Sequence, residues 1–158
     1  MSKPLLTLLA AACALALPAL AYSRQVTLSA QLKNYGGDGA YLAAYLTDAK
    51  GAYVRTFWVA GGKAKYYKHL SDWNRLSSGD AKRLNGVTGA SVGAGRTLKV
   101  TADLADALID AGYEIHIDAA AEDMRDSASD VRVPLTSANA GKPQAGKQYI
   151  QALTFQLQ

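Results

Sequence analysis

Apolar and polar residues alternate in several short segments of this chain, and turn residues separate seven candidate strand segments from one another. In the first segment, Val26, Leu28, Ala30 and Leu32 lie on one face. Alternation of this kind predicts half-buried β-strands. The predicted strands span residues 24–32, 40–47, 53–60, 96–103, 112–119, 130–135 and 148–156.

One stretch changes to helical spacing. Tyr66, Leu70 and Trp73 recur at intervals of four and three residues, which predicts a short helix within residues 63–76. Residues 77–95 are small and polar, so we expect a surface loop there. Many strands and one helix favour an all-β fold, an antiparallel immunoglobulin-like β-sandwich with one short helical insertion. Because two cores would each be marginal in so short a chain, residues 22–158 are expected to form a single β-sandwich domain.

Residues 1–21 have the features of a signal peptide. Lys3 gives a cationic start, residues 5–17 are nearly all Leu and Ala, and Pro18 precedes Ala19-Leu20-Ala21, so we expect cleavage after Ala21 and export, to the periplasm or beyond. The single cysteine, Cys13, lies inside this signal. The apolar run continues past Cys13, which favours removal of the whole signal over lipidation. The mature chain would then have no disulfide, thiolate metal site or c-type haem.

Positive charge is concentrated at the predicted helix. The whole chain has 17 Lys and Arg against 13 Asp and Glu, a net charge of +4, which is too small to indicate nucleic acid. The predicted residues for binding an anion or an acidic partner are Lys63, Lys65, Lys68 and Arg75; Lys82 and Arg83 extend the stretch. A solvated helix face is the alternative. The aromatic residues that could stack on a planar ring or belong to the core are Tyr66, Tyr67 and Trp73.

Residues 85–91 resemble the acceptor motif of bacterial flavin transferases. That motif reads Asp, two variable residues, Ser or Thr, Gly, Ala, and finally Thr or Ser, whose hydroxyl forms a phosphoester with flavin mononucleotide (FMN). The matching residues are Asn85, Thr88, Gly89, Ala90 and Ser91. The resemblance implies covalent FMN on Ser91, and the small residues would let the flavin ring approach the backbone. Asn85 departs from the motif's Asp, and a plain surface loop is the alternative.

The order of landmarks along the mature chain resembles a family of predicted periplasmic proteins, domain-of-unknown-function family 2271. The landmarks are the segments 41–48, 53–58, 61–73, 87–91 and 112–122. Members of that family are often encoded beside flavin transferases and PepSY-type membrane redox proteins, which the resemblance implies as partners. We therefore expect an accessory protein of extracytoplasmic electron transfer. The alternative is a cofactor-free binding or structural module that docks on an envelope protein.

Glu114, His116 and Asp118 alternate onto one face of a predicted strand. Side chains on one face are about 6.6 Å apart along a strand, so these three cannot converge on one metal ion without help. We expect a solvated outer face and no metal site there. His69 is expected to be exposed, and no local motif pairs either histidine with a nucleophile. An electron carrier or binding module is therefore favoured over an enzyme.

Overall fold

The computed structural model describes residues 22–79 and 84–158. The predicted signal peptide and the basic residues Lys82 and Arg83 lie outside these ranges. Within them, no helix is long and apolar enough to cross a membrane.

The described chain is dominated by β-strands, as the alternation predicts. All seven predicted strands form, and residues 88–89 add a further short one. The strands are β1 (Ser23–Leu32), β2 (Tyr41–Thr47), β3 (Tyr53–Ala60), β4 (Thr88–Gly89), β5 (Thr97–Ala105), β6 (Glu114–Ala120), β7 (Ser127–Pro134) and β8 (Ile150–Leu157). The helices are a 3-10 helix (Ala64–His69), α1 (Ser71–Leu76) and a 3-10 turn (Asp106–Leu108). The all-β prediction is confirmed.

The strands form two sheets. One has the order β5-β1-β8, and the other has the order β4-β3-β2-β6-β7. Pairing is antiparallel except between β3 and β4, which run parallel. Apolar side chains of both sheets meet in one core, which includes Leu28 of β1, Leu46 of β2 and Ile117 of β6. The sheets therefore pack face to face around the apolar positions of the alternating pattern.

A second apolar cluster lies on the outer face of the larger sheet. Ala43 and Tyr45 of β2 point away from the main core and pack with Leu70 and Trp73 of the helical segment. Because helices cover this face, β2 is buried on both sides between Leu42 and Thr47. This layer of helix positions the polar groups described below.

Two expectations about the segment after β3 need correction. The helix breaks at Leu70 into a 3-10 part and an α-helical part, so Tyr67 takes the buried position and Tyr66 remains 40% exposed. Residues 77–95 are also not simply a loop. Thr88–Gly89 pair with β3, and Val92 pairs with Ala40. These contacts use backbone groups, which small side chains do not obstruct.

Candidate functional site

Residues 85–91, the segment that resembles the flavin-acceptor motif, begin with a tight turn. The backbone N–H of Val87 donates to the carbonyl of Leu84 at 3.1 Å, and Gly86 has a φ of +76°, which glycine adopts without strain. The chain then runs along the edge of β3, where the N–H of Gly61 donates to the carbonyl of Gly89 at 2.7 Å. The segment is thereby fixed to the sheet.

Ser91 lies between two points at which the backbone is held. Before it, Gly89 lies close to the indole of Trp58, where an added Cβ would be 2.7 Å from the ring. After it, Val92 and Ala40 exchange two hydrogen bonds of 2.7 and 2.9 Å. Gly39 leaves space for the Ser91 hydroxyl, because a Cβ there would be 2.8 Å from Oγ. The side chain of Ser91 is exposed, as are Asn85, Thr88 and Ala90.

Ser91 borders a groove of about 670 Å³. This volume is within the roughly 300–1,000 Å³ typical of small-molecule sites. Tyr41 and Tyr66 line one side, with ring centroids 5.9 Å apart in an edge-to-face arrangement. Gly61 permits this packing, since a Cβ there would overlap the Tyr41 ring. The groove thus combines an exposed hydroxyl with aromatic surface.

Acidic side chains outnumber basic ones in the groove. The acidic lining residues are Asp38, Glu122, Asp123 and Asp126. Lys63 and His69 also line it, and His69 Nδ1 lies 3.0 Å from a carboxylate oxygen of Asp126. The His69 side chain is partly exposed, and it is also in contact with a carboxylate. The negative potential of such a lining disfavours a freely bound phosphate.

The four basic residues that were predicted to bind an anion lie in different places. Lys63 lines the groove beside Ser91, and the Lys65 ammonium lies 4.9 Å from the centroid of the Tyr66 ring. Lys68 is exposed. Arg75 instead lines a second pocket, where its guanidinium donates to Asp72 at 2.9 Å.

The prediction of a solvated face on β6 is wrong at two of the three positions. Asp118 is 0% exposed and His116 is also buried, because the helical segment covers this face. Asp118 accepts hydrogen bonds from the backbone N–H groups of Trp73 at 2.7 Å and Ser129 at 2.8 Å. Burial raises the pKa of Asp118, and these bonds oppose that shift. Among residues 22–79 and 84–158, no group of three His, Cys, Asp or Glu could hold a metal ion.

The second pocket, of about 340 Å³, lies between α1 and β2, β6 and β7. His116 stands at its wall and contacts hydroxyls on both ring nitrogens: Thr47 Oγ1 is 3.0 Å from Nε2, and Ser129 Oγ is 3.0 Å from Nδ1. A carboxylate oxygen of Glu114 lies 3.3 Å from Nε2. Burial lowers the pKa of His116.

Ser129 was not among the residues singled out by the sequence. It is brought to His116 by an irregularity in the β6–β7 pairing, where Ile117 faces Val131 but Ala119 faces Ser127. Three residues of β7 therefore oppose the single residue Asp118. Such a bulge has no reliable signature in the alternation of apolar and polar residues.

The comparisons with known proteins bear on the family of the chain. No curated protein and no solved structure matches it. A family model described as "Predicted periplasmic protein (DUF2271)" matches residues 23–152, which includes every strand from β1 to β7 and both regions described above. The chain therefore belongs to this family of periplasmic proteins.

Proposed function

We propose that this protein is an exported accessory of extracytoplasmic electron transfer that carries FMN covalently on Ser91. The observation that supports this most directly is the exposed Ser91 hydroxyl at the border of the groove lined by Tyr41 and Tyr66. A modifying enzyme needs such an accessible hydroxyl, and the attached ring needs a surface on which to rest. The flavin supplies the redox chemistry and the protein positions it.

The attachment exchanges one phosphate bond for another. Ser91 Oγ forms a bond to the flavin-side phosphorus of a flavin dinucleotide, the pyrophosphate bond breaks, and the nucleoside monophosphate leaves. The transferase takes up the hydroxyl proton. Asn85 stands where the motif has a carboxylate, so this departure is expected to slow the reaction without removing the acceptor.

The lining of the groove favours a covalent cofactor over a dissociable one. Four acidic residues and one lysine line it, so the phosphate of free FMN would be weakly held. A covalent phosphoester removes the need for a phosphate-binding site. Tyr66, which is 40% exposed, offers a face for stacking on the isoalloxazine ring.

The immunoglobulin-like class of the sandwich is part of the same proposal. Immunoglobulin sheets have strands in the orders A-B-E and G-F-C, with C′ added beside C in variable-type domains. The orders β8-β1-β5 and β7-β6-β2-β3 correspond to these if the C-terminal strand occupies the place of strand A. The partner in this proposal is a PepSY-type membrane redox protein.

Co-expression with a flavin transferase tests the carrier function. The expected result is a yellow protein with in-gel fluorescence and the added mass of one FMN. Ser91→Ala should abolish the label. Thr97→Ala, which removes an exposed hydroxyl of β5 outside the motif, is the matched control and should retain it. Asn85→Asp should increase the rate of labelling.

Each result has a counterpart that contradicts part of the proposal. An unchanged mass of the wild type, with a known acceptor labelled in the same cells, would reject the carrier function. In that case the cofactor-free module that docks on an envelope protein becomes the preferred function. A label that persists in Ser91→Ala would reject the assigned residue and point to another hydroxyl.

A further inference from the structure

We propose that Ser129, His116 and Glu114 form an acyl-transfer site that hydrolyses short-chain esters, with Ser129 as nucleophile and His116 as general base. The site is separate from the Ser91 groove, since the two cavities share no lining residue, and it does not depend on the proposed flavin. It lies in the pocket of about 340 Å³ between α1 and the larger sheet.

The first observation is the geometry of the nucleophile. Ser129 Oγ lies 3.0 Å from His116 Nδ1, within the reach expected of a nucleophile and its base. Ser129 is partly exposed and lines the pocket. Its φ of +42° is unusual for a residue other than glycine, and strained residues are concentrated at functional sites. The bulge in β7 therefore aims a serine hydroxyl at a histidine.

The second observation is the group that orients the base. A carboxylate accepts hydrogen bonds but cannot donate them. Glu114 lies 3.3 Å from Nε2 of His116. It therefore favours the imidazole tautomer that carries the proton on Nε2. Nδ1 is then left as the acceptor for the Ser129 hydroxyl. Tyr45 stacks on the imidazole with ring planes 18° apart, which fixes the ring orientation.

Asp72 is a competing acceptor for the same hydroxyl proton. Its Oδ2 lies 3.3 Å from Ser129 Oγ, which is longer than the distance to His116 Nδ1. Asp72 also accepts a hydrogen bond from the guanidinium of Arg75, so the negative charge of Asp72 is already compensated. The Ser129 proton is consequently best placed between Oγ and Nδ1.

The proposed reaction needs only the ester and water. Ser129 Oγ bonds to the acyl carbon while its proton passes to His116 Nδ1. The bond between the acyl carbon and the alcohol oxygen then breaks, and that oxygen takes the proton. Water hydrolyses the acyl-serine by the same route.

Arg132 faces His116 across the β6–β7 pair and lines the pocket, where its N–H groups can stabilise the oxyanion. The pocket volume of about 340 Å³ is near the lower end of the range for small-molecule sites, which favours esters with short acyl chains.

A fluorophosphonate probe and p-nitrophenyl acetate test this proposal on the mature protein. The probe is expected to label Ser129, as identified by peptide mass spectrometry. Ser129→Gly should abolish labelling and lower kcat/KM by about 100-fold or more, as should His116→Gln. Glycine is chosen because it adopts positive φ without strain, so the variant should remain folded. Ser29→Ala, a partly exposed serine of β1 in the other sheet, is the matched control and should be unchanged.

Two further measurements separate catalysis from a purely structural role. The wild-type kcat/KM should rise with pH and level off below the ordinary histidine pKa, since burial lowers the pKa of His116. Acetate esters should react faster than octanoate esters. The proposal is overturned if the probe labels no residue or a residue other than Ser129, or if folded Ser129→Gly hydrolyses the ester at the wild-type rate.

Discussion

The Asp118 carboxylate joins the helical segment to the sheet, since Oδ2 accepts the backbone N–H of Trp73 at 2.7 Å. Its other oxygen accepts the N–H of Ser129 and the hydroxyl of Tyr45 at 2.8 and 3.1 Å. Trp73 is attached a second time, because its indole N–H donates to Thr56 Oγ1 at 2.9 Å. The helical layer is therefore held by directional contacts as well as by apolar packing.

Asp118→Asn should destabilise the protein. An amide can replace only one carboxylate oxygen as an acceptor, so its NH2 group would face a backbone N–H of Trp73 or Ser129. One buried donor would lose its partner, at an expected cost of about 1–3 kcal/mol. Urea denaturation measures the free energy of unfolding. Asp126→Asn, which changes a partly exposed carboxylate, is the control; equal stabilities of the two variants would contradict the role assigned to Asp118.

Asp130 fixes the approach to β8 in a similar way. Its carboxylate accepts backbone N–H groups of Gln148, Tyr149 and Ile150 and the hydroxyl of Ser127. Asp130→Ala leaves these donors unpaired, so we expect a loss of at least about 2 kcal/mol in the free energy of unfolding. Hydrogen exchange should show faster exchange at Tyr149 and Ile150. Unchanged protection of those two amides would be inconsistent with this role.

Alternation, which records which side chains face the core, and the turn residues between segments together predicted the seven longer strands. It could not predict β4, since Thr88 and Gly89 pair with β3 through their backbones alone. The short helix was recognised from the spacing of Leu70 and Trp73, but the break at Leu70 shifted the buried tyrosine by one position. Strand periodicity therefore reports burial and not every backbone contact.

The burial of His116 and Asp118 was missed for a different reason. Polar residues at alternate positions normally indicate a solvated face, and the helix that covers them ends at Leu76, far earlier in the chain. A signal was present in β2, where Leu42-Ala43-Ala44-Tyr45-Leu46 is apolar on both faces and so predicts burial on both sides. Ser129 gave no such signal, because its position depends on the bulge in β7.

Stability should depend on pH through His116. Burial lowers its pKa in the folded state, so below the ordinary value of about 6.5 the unfolded chain binds a proton that the folded chain does not. The free energy of unfolding should therefore decrease as pH falls from about 7.5 to about 5.5. The raised pKa of Asp118 has the opposite effect at lower pH, where its protonation increases the free energy of unfolding as the pH falls. His116→Gln should flatten the decrease relative to wild type, and an unchanged slope in this variant would count against the assignment.

Gly89 is required where residues 85–91 pass the indole of Trp58. In Gly89→Ala the new Cβ would lie 2.7 Å from the indole, so the segment must move away from β3 at an expected cost of about 1–3 kcal/mol. The Gly61 amide, which donates to the Gly89 carbonyl at 2.7 Å, should then exchange faster with solvent. Flavin labelling of Ser91 should decrease because the hydroxyl is no longer held at the groove. Gly62→Ala is the control, since a Cβ there meets nothing within 4 Å. Wild-type exchange at Gly61 in Gly89→Ala would mean that the indole, and not β4, moves to accommodate the methyl group.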